Sequence, residues 1–243
     1  MLAISVTNTQ AKEKLSGTNV NVRTLLFFES AANAVDKLLP NGWEIGSPPK
    51  GPFKGFNLVV VLIDSLSALD AEGKPVEPFG GAVLAIPAKK SGTTNDRGVM
   101  VVGGITVQKS VPGAYGVYKP GKVHIERQSE IEHIGKATAD QTWEVESTGG
   151  NSLKVNIEYI RSPTGQSDIK SKVHSGSQPG FFRLYRGHQV TELVHSAVTG
   201  VNHTTKLSVT GSGPKLGALF DGTEKLIGVL SIPSYVRSVY LPE

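Results

Sequence analysis

From residue 58 onward, nearly every patterned segment of the chain has the composition of a β-strand. These segments are rich in β-branched and aromatic residues, and turn residues drawn from 28 glycines and 14 prolines separate them. The segment 58–66 is almost continuously apolar, which is typical of a strand buried on both faces. The other predicted strands are 81–88, 99–107, 122–126, 143–146, 153–160, 181–185, 190–198, 205–210 and 226–231. So many short strands predict a closed or sandwiched β-structure.

One helix is predicted near the N-terminus. Residues 20–28 have strand composition, and Ser30 is a suitable N-cap for a helix that Pro40 would stop. The apolar residues of this helix share one face, and they are Ala31, Val35, Leu38 and Leu39. We therefore expect a mainly-β or α+β fold with one short helix. A closed barrel with this many strands can hold a small ligand in its interior.

The segment 160–179 differs from its surroundings because it is polar and has no clear periodicity. It is predicted to be a long loop, either a lid over a binding site or an excursion into solvent. No break in composition divides the chain, so residues 1–243 are expected to form a single domain.

Composition excludes several classes of function. The net charge of +4 comes from 25 basic and 21 acidic residues with no basic run, so we expect no nucleic-acid partner. The chain has no cysteine, which excludes disulfides, thiolate nucleophiles and cysteine-based zinc sites. No apolar run approaches the ~18 residues of a membrane span, and no signal peptide is evident. We expect a cytoplasmic protein without a membrane partner and without a metal site.

Several segments, taken in order, resemble the acetoacetate decarboxylase superfamily. Ala34, Leu38, Leu39 and Pro40 fit the short helix that follows the first core strand in that family. The segments NLVVVLIDSL and FGGAVLAIPA come next, and the second is similar to a family segment that ends in Ala-Ile-Pro. The segments PGFFRL and IPSYVRSVYLP also resemble family strands near the C-terminus.

The resemblance implies a cone-shaped, closed β-barrel-like fold with an internal cavity, commonly in homo-oligomers. It also implies a lyase that acts on a small keto acid or related carbonyl compound, with no cofactor. In this family a lysine amine forms a Schiff base with the substrate ketone. Such an amine has to be uncharged to react, so burial or a neighbouring cation must lower its pKa.

The family's reactive lysine lies in a Tyr-Pro-Lys-Lys run, and the corresponding residues here include Lys119-Pro120-Gly121-Lys122. A gapless overlay places Gly121 on the reactive lysine and Lys122 on its cationic neighbour. A shift of one residue makes Lys122 the nucleophile and Lys119 the nearby cation, but it also moves side chains between the two faces of the strand. The alternative is that both lysines are solvated beside a Pro-Gly turn.

The resemblance points to two further substrate-binding candidates, although the position of the family carboxylate itself is occupied here by Gly81. Arg23 lies in the first core strand, where the family has an arginine near the substrate carboxylate. A buried arginine needs a compensating anion, which either a ligand or an ordinary salt bridge would supply. Glu77 is the acidic residue nearest to the position of a family carboxylate, and it is either a cavity residue or a loop glutamate.

Lys122, His124 and Glu126 occur at strand spacing and therefore share one face. If that face is turned inward, an amine, an imidazole and a carboxylate line one wall and provide acid and base groups. If it is turned outward, the three form a polar, solvated strand face.

Three functions follow as hypotheses. The first is a Schiff-base lyase with Lys122 as nucleophile. The second is a divergent member of the family that carries out dehydration, hydrolysis or cyclisation by acid/base catalysis at His124 and Glu126. The third is a non-catalytic barrel that binds a small ligand.

Overall fold

A computed structural model of the protein describes residues 13–93, 96–132 and 136–242. The chain forms one short helix, α1 (Ala32–Asp36), and otherwise strands. The strands are β1 (Glu13–Glu29), β2 (Trp43–Ile45), β3 (Leu58–Asp70), β4 (Gly80–Lys90), β5 (Arg97–Thr106), β6 (Tyr118–Glu132), β7 (Lys136–Ser147), β8 (Ser152–Ile160), β9 (Gly165–Ser175), β10 (Phe182–Ser196), β11 (Val201–Asn202), β12 (Thr204–Ser212) and β13 (Lys225–Pro242). The helix in the described part of the chain is too short to span a membrane.

The central feature of the fold is a closed ring of hydrogen-bonded strands. The ring follows the order β5–β9–β10–β13–β1–β3–β4 and returns to β5. Most neighbours are antiparallel, and the parallel pairing of β5 with β9 completes the circuit. The closing contact is short, because only Val99–Val101 of β5 pair with Val173–Ser175 of β9. The expectation of a mainly-β, closed fold is therefore confirmed.

A second sheet branches from the ring at β6. The first residues of β6 pair in parallel with β5, and the rest of the strand joins the order β6–β7–β8–β12. The branch point is at Gly121, where a Cβ atom would lie 2.3 Å from the carbonyl oxygen of Glu146 and 2.4 Å from Ile105 Cγ2. Only a glycine allows the backbones to approach so closely.

Two apolar clusters occupy the two faces of the ring strands. On β3, Leu58, Val60 and Leu62 pack against the second sheet, whereas Val59 and Ile63 belong to the cluster inside the ring. This alternation is the consequence of the two-residue period of a strand with both faces buried. The prediction that segment 58–66 is buried on both faces is confirmed for these residues.

The predicted helix is shorter than expected, and Ser30 does not cap it. After Asp36 the chain continues in single turns, in which Leu38 N–H donates to Val35 O and Leu39 N–H to Asp36 O. The Ser30 hydroxyl instead donates to the carbonyl oxygen of Leu219 at 2.9 Å. The cap residue is Ala31, which has no side-chain hydrogen bond. A tertiary contact therefore replaces the local one.

The prediction of a long loop over 160–179 is wrong. Residues Gly165–Ser175 form β9, which pairs with β10 on one side and with β5 on the other. The first half of β9 is mostly exposed, so it lacks the apolar alternation by which strands are identified in a sequence. Pairing with β10 along nearly its whole length, and with β5 at Val173–Ser175, makes this segment a strand despite its local composition.

The segments 181–185 and 190–198 were predicted as separate strands, but they belong to one strand, β10. Gly187 lies in the middle of this strand. A Cβ atom there would be 2.6 Å from the carbonyl oxygen of Val236 on the paired strand β13. The glycine permits a close approach of two backbones within the sheet.

Candidate functional site

A cavity of about 750 Å³ opens at one end of the ring. Its walls come from the start of β1, the end of β3, the segment before β4, the loop between β5 and β6, and the strands β10 and β13. The described lining includes four kinds of chemically useful side chain. These are the tyrosines Tyr115, Tyr118 and Tyr185, the arginines Arg183 and Arg237, the carboxylates Asp70 and Glu77, and the amides Asn19, Asn21 and Gln108.

The tyrosines form a cluster on the wall of the cavity. The hydroxyl groups of Tyr115 and Tyr185 share a hydrogen bond of 2.5 Å, and the ring of Tyr118 meets that of Tyr115 edge-on at 6.2 Å. Burial, and then the neighbouring Tyr185, raise the pKa of both Tyr115 and Tyr118. Both phenols therefore keep their protons at neutral pH and can donate hydrogen bonds.

The loop that carries Tyr115 is held firmly against the ring. The carbonyl oxygen of Tyr115 accepts hydrogen bonds from the hydroxyls of Ser175 (2.6 Å) and Ser177 (2.9 Å). Gly113 has a φ of +69°, and a Cβ atom there would lie 2.5 Å from the Tyr118 ring. The loop can cover Tyr118 only because this residue is a glycine.

The two arginines of the cavity wall, Arg183 and Arg237, stack on tyrosine rings of the cluster. The guanidinium carbon of Arg237 is 4.1 Å from the centre of the Tyr185 ring, and that of Arg183 is 5.9 Å from the centre of the Tyr115 ring. Arg237 Nε also donates to Asn19 Oδ1 at 2.6 Å, a contact that follows from the pairing of these two residues between β1 and β13. Stacking and this hydrogen bond restrict where the two guanidinium groups can point.

Arg23, predicted to contact substrate, lies beside this cluster and is not among the described residues that line the cavity. Its guanidinium carbon is 5.4 Å from the centre of the Tyr235 ring. Burial, and then the charge of Arg237, lower the pKa of Arg23 to about 10. The Nε atoms of Arg23 and Arg183 are both buried without a hydrogen-bond partner in the described structure.

The cluster has an excess of positive charge. Among the described residues, no carboxylate lies within 4.0 Å of the cationic nitrogens of Arg23, Arg183 or Arg237, although other arginines of the chain do form salt bridges. Cations that are removed from water and lack a counterion are costly. The arrangement therefore favours an anionic ligand.

Glu77 lies on the rim of the cavity. It is exposed, and its carboxylate accepts the backbone N–H of Lys109 at 3.0 Å and 3.2 Å. The other lining carboxylate, Asp70, accepts the backbone N–H groups of Glu72 and Lys74 within a turn. The Glu77 carboxylate thus accepts one backbone N–H group, whereas the Asp70 carboxylate accepts two.

Lys122, His124 and Glu126 share one strand face, as expected, but that face is turned to solvent. The side chains of His124 and Glu126 are 57% and 68% exposed, and His124 Nε2 lies 3.1 Å from Glu126 Oε1. The intervening Val123 and Ile125 pack against the core, which turns the polar residues of β6 outward. The inward orientation is therefore wrong, and none of the three lines the cavity.

Lys119, the other lysine predicted to lie near the substrate, does not line this cavity either. It lines a smaller pocket between the ring and the second sheet. In the described part of the chain, the lining of the larger cavity contains no lysine. No cluster of three histidine or acidic side chains suited to a metal ion occurs among the described residues.

The exposed position of β6 leads to a prediction. Replacing Lys122 or His124 by alanine should change the free energy of unfolding by no more than about 0.5 kcal/mol, because both side chains are exposed and the exposed contact of His124 with Glu126 contributes little. Urea unfolding of the two variants checks this. A loss of more than about 2 kcal/mol in either variant would show that this face is covered.

Sequence reasoning missed the arginine–tyrosine cluster, although a signal was present. Arg183 and Tyr185 alternate on β10, and Tyr235 and Arg237 alternate on β13, so each pair lies on one strand face. When charged residues occupy the strand face that is otherwise buried, that face indicates a polar cavity. The signal was overlooked because the two pairs lie far apart in the sequence.

Comparison with known proteins gives a result at the level of structure only. No protein-family model matches the chain, and no curated protein matches it in sequence. The structure is similar to that of the enduracididine biosynthesis enzyme MppR, solved with the condensation product of pyruvate and imidazole 4-carboxaldehyde. The TM-score is 0.55 at 12% identity, with 96% of this chain and 90% of that chain covered.

A second similar structure is that of an acetoacetate decarboxylase-like enzyme from Sphingomonas wittichii RW1. Here the TM-score is 0.56 at 10% identity, and the alignment covers 100% of this chain and 96% of that chain. At these identities the likeness concerns the fold. The chain therefore has the acetoacetate decarboxylase-like fold that its sequence resemblance predicted.

Proposed function

We propose that the chain binds a small keto acid in the arginine–tyrosine cavity and acts on it as a lyase by acid/base catalysis. The observation that carries this proposal is the group of three arginines without a carboxylate partner among the described residues, each packed on a tyrosine ring. Beside them lie the buried phenols of Tyr115 and Tyr118, whose pKa burial raises. A keto acid has a carboxylate that the arginines can bind and a carbonyl oxygen that can accept hydrogen bonds from the tyrosine hydroxyls.

The carboxylate of the ligand is assigned to Arg183 and Arg237. A guanidinium presents its N–H groups in a planar fork that matches a carboxylate, and both residues line the cavity. Arg23, which is more deeply placed beside Tyr235, contributes charge. The ligand would neutralise part of the positive charge that the described protein groups leave unpaired.

The carbonyl oxygen is assigned to the tyrosine hydroxyls. Removing a proton from the carbon next to a carbonyl moves negative charge onto the carbonyl oxygen, and donors already in place stabilise that charge. Glu77 on the cavity rim is the proposed base that takes the proton. The proton passes to its carboxylate and the electron pair to the oxygen, so the step needs no further reactant.

This scheme favours reactions in which the substrate keeps its carboxylate. During decarboxylation the negative charge of the carboxylate moves onto the neighbouring carbon as CO₂ departs. Cations bound to the carboxylate stabilise this charge in the substrate more than in the transition state, and they therefore oppose decarboxylation. Condensation, its reverse, and dehydration next to the carbonyl are free of this cost. MppR, whose structure contains a condensation product of pyruvate, is consistent with such chemistry on this fold.

A Schiff base is not part of the proposal. The amine of Lys122 is on the exposed face of β6, and the described lining of the arginine–tyrosine cavity includes no lysine. Borohydride added together with pyruvate should therefore leave every lysine unmodified by mass spectrometry. A lysine trapped as its reduced pyruvate adduct would contradict the acid/base route.

The proposal is tested with pyruvate in D₂O. Bound pyruvate should exchange its methyl protons for deuterium, which NMR detects. Arg183→Met and Arg237→Met should each weaken pyruvate binding by about tenfold or more, because each removes a charged hydrogen-bond donor. Tyr118→Phe should bind pyruvate but exchange its protons about a hundredfold more slowly.

Arg186→Met is the matched control, since Arg186 lies on the same strand as Arg183 but is about half exposed and pairs with Glu13. It should leave both binding and exchange unchanged. If pyruvate and longer keto acids fail to bind, the proposal is wrong. If they bind with no exchange and no product, the cavity is a binding site and the catalytic part of the proposal is wrong.

A further inference from the structure

A second pocket of about 110 Å³ lies between the ring and the second sheet. Its walls are largely apolar, and they come from β4, β5, the start of β6 with the residue before it, the end of β7, β8 with the turn before it, and the turn after β12. The apolar lining residues are Ala82, Leu84, Ile105, Val117, Leu153 and Leu216. A volume of this size holds about four water molecules, so a ligand has to be small.

The amine of Lys215 is fixed in this pocket. Its Nζ donates to the carbonyl oxygen of Val102 at 2.6 Å, and Asn151 Oδ1 holds the turn by accepting the N–H groups of Lys215 (2.8 Å) and Leu216 (3.1 Å). Gly103 provides the space, because a Cβ atom there would lie 2.9 Å from Nζ. The amine is therefore held by the backbone around it.

Lys119 brings a second positive charge to the same pocket. Its side chain lines the opening, while burial and then the charge of Lys119 lower the pKa of Lys215. The described lining contains two amines and no carboxylate. An amine whose charge is disfavoured by burial and by a like charge gains most from an anion placed beside it.

We propose that this pocket is a separate binding site for a short aliphatic carboxylate such as butyrate. The carboxylate lies between Lys119 and Lys215, and the alkyl chain packs against Leu84, Ile105 and Leu153. An inorganic anion would leave the apolar walls without a partner, and a neutral alkyl compound would leave the two amines without one. The site does not depend on the function proposed for the larger cavity.

Lys215 also has a structural contact, and the test has to separate the two roles. The pairing of β4 with β5 contains a bulge, because Leu84 lies opposite Gly103 and the next residue, Ala85, lies opposite Val101. Val102 is the extra residue of this bulge and has no partner on β4. Lys215 supplies a hydrogen bond to its carbonyl oxygen. Lys215→Met should therefore lower stability as well as binding. Lys119 is exposed and has no such contact among the described residues, so Lys119→Met separates the roles.

The experiment is a calorimetric titration of the full-length chain with butyrate at pH 7, with 1-butanol as the uncharged control. Saturable binding of butyrate and none of butanol is expected. Lys119→Met should weaken butyrate binding about tenfold without changing the melting temperature, because one charged hydrogen bond is lost. Lys122→Met, which changes an exposed lysine of the same strand, should leave it unchanged.

Three results would overturn the proposal. The first is no saturable butyrate binding, and the second is equal affinity in the Lys119→Met and Lys122→Met variants. The third is loss of butyrate binding in Arg237→Met, which would place the ligand in the larger cavity. Because pyruvate binding is measured independently, failure of one site does not imply failure of the other.

Discussion

Trp143→Ala should lower the free energy of unfolding by about 3–5 kcal/mol, the usual cost of removing a large aromatic side chain from a core. Trp143 is fully buried on β7 and packs in the cluster that joins the second sheet to the ring. Its Nε1 also donates to Gln141 Oε1 at 3.2 Å. The substitution leaves a cavity between the two parts of the fold and removes this hydrogen bond.

Urea denaturation at pH 7 measures this change, with Trp143→Phe as the matched variant. Phenylalanine keeps most of the apolar volume and loses only the N–H donor, so its cost should be clearly smaller. Gln141 Oε1 keeps the hydrogen bond that it accepts from the Thr24 hydroxyl at 2.7 Å. A loss below about 1 kcal/mol for the alanine variant would mean that the second sheet contributes little to stability.

The second large effect is a loss of stability in acid that depends on His174. This side chain is about 3% exposed, lies 4.6 Å from the Trp43 ring and 5.5 Å from the Phe182 ring, and has no hydrogen-bond partner in the described structure. Burial, and then the charge of Lys172, lower its pKa from 6.5 to about 4. Asp96, 4.0 Å away, acts in the opposite direction but more weakly.

The direction in which stability changes with pH follows from the number of protons that the folded and unfolded chains bind. Between pH 6.5 and 4 the unfolded chain carries a proton on His174 and the folded chain does not, so acid favours unfolding. The stability present above pH 6.5 should fall by about 3 kcal/mol by pH 4 from this residue. Asp96 titrates lower, because its hydrogen bond with Lys172 lowers its pKa from 3.8.

The measurement is the free energy of unfolding in urea at several pH values from 7 to 4. His174→Leu should flatten this profile, whatever its effect at pH 7, because leucine does not titrate. His188→Leu is the matched control, since it removes a histidine whose side chain is 58% exposed. Equal slopes for the wild-type chain and His174→Leu would show that the imidazole is protonated as readily in the folded state as in the unfolded one.

Much of the secondary structure could be predicted because strand formation leaves a local pattern. Most predicted strands correspond to observed ones, since β-branched runs and turn residues are read from neighbouring positions. The shared face of Lys122, His124 and Glu126 was predicted for the same reason. Whether that face is inward depends on what packs on β6, and Val123 and Ile125 decide it through contacts with distant strands.

The sequence by itself therefore determined which residues alternate along a strand, in which segments most strands lie, and which fold the chain resembles. The tertiary structure alone decided that β9 closes the ring, and that Arg23, Arg183 and Arg237 meet from three strands that are neighbours in the sheet but distant in the sequence. The physical reason is that side-chain alternation is a local property of the backbone. Pairing, closure and the choice of the buried face depend on contacts between distant segments.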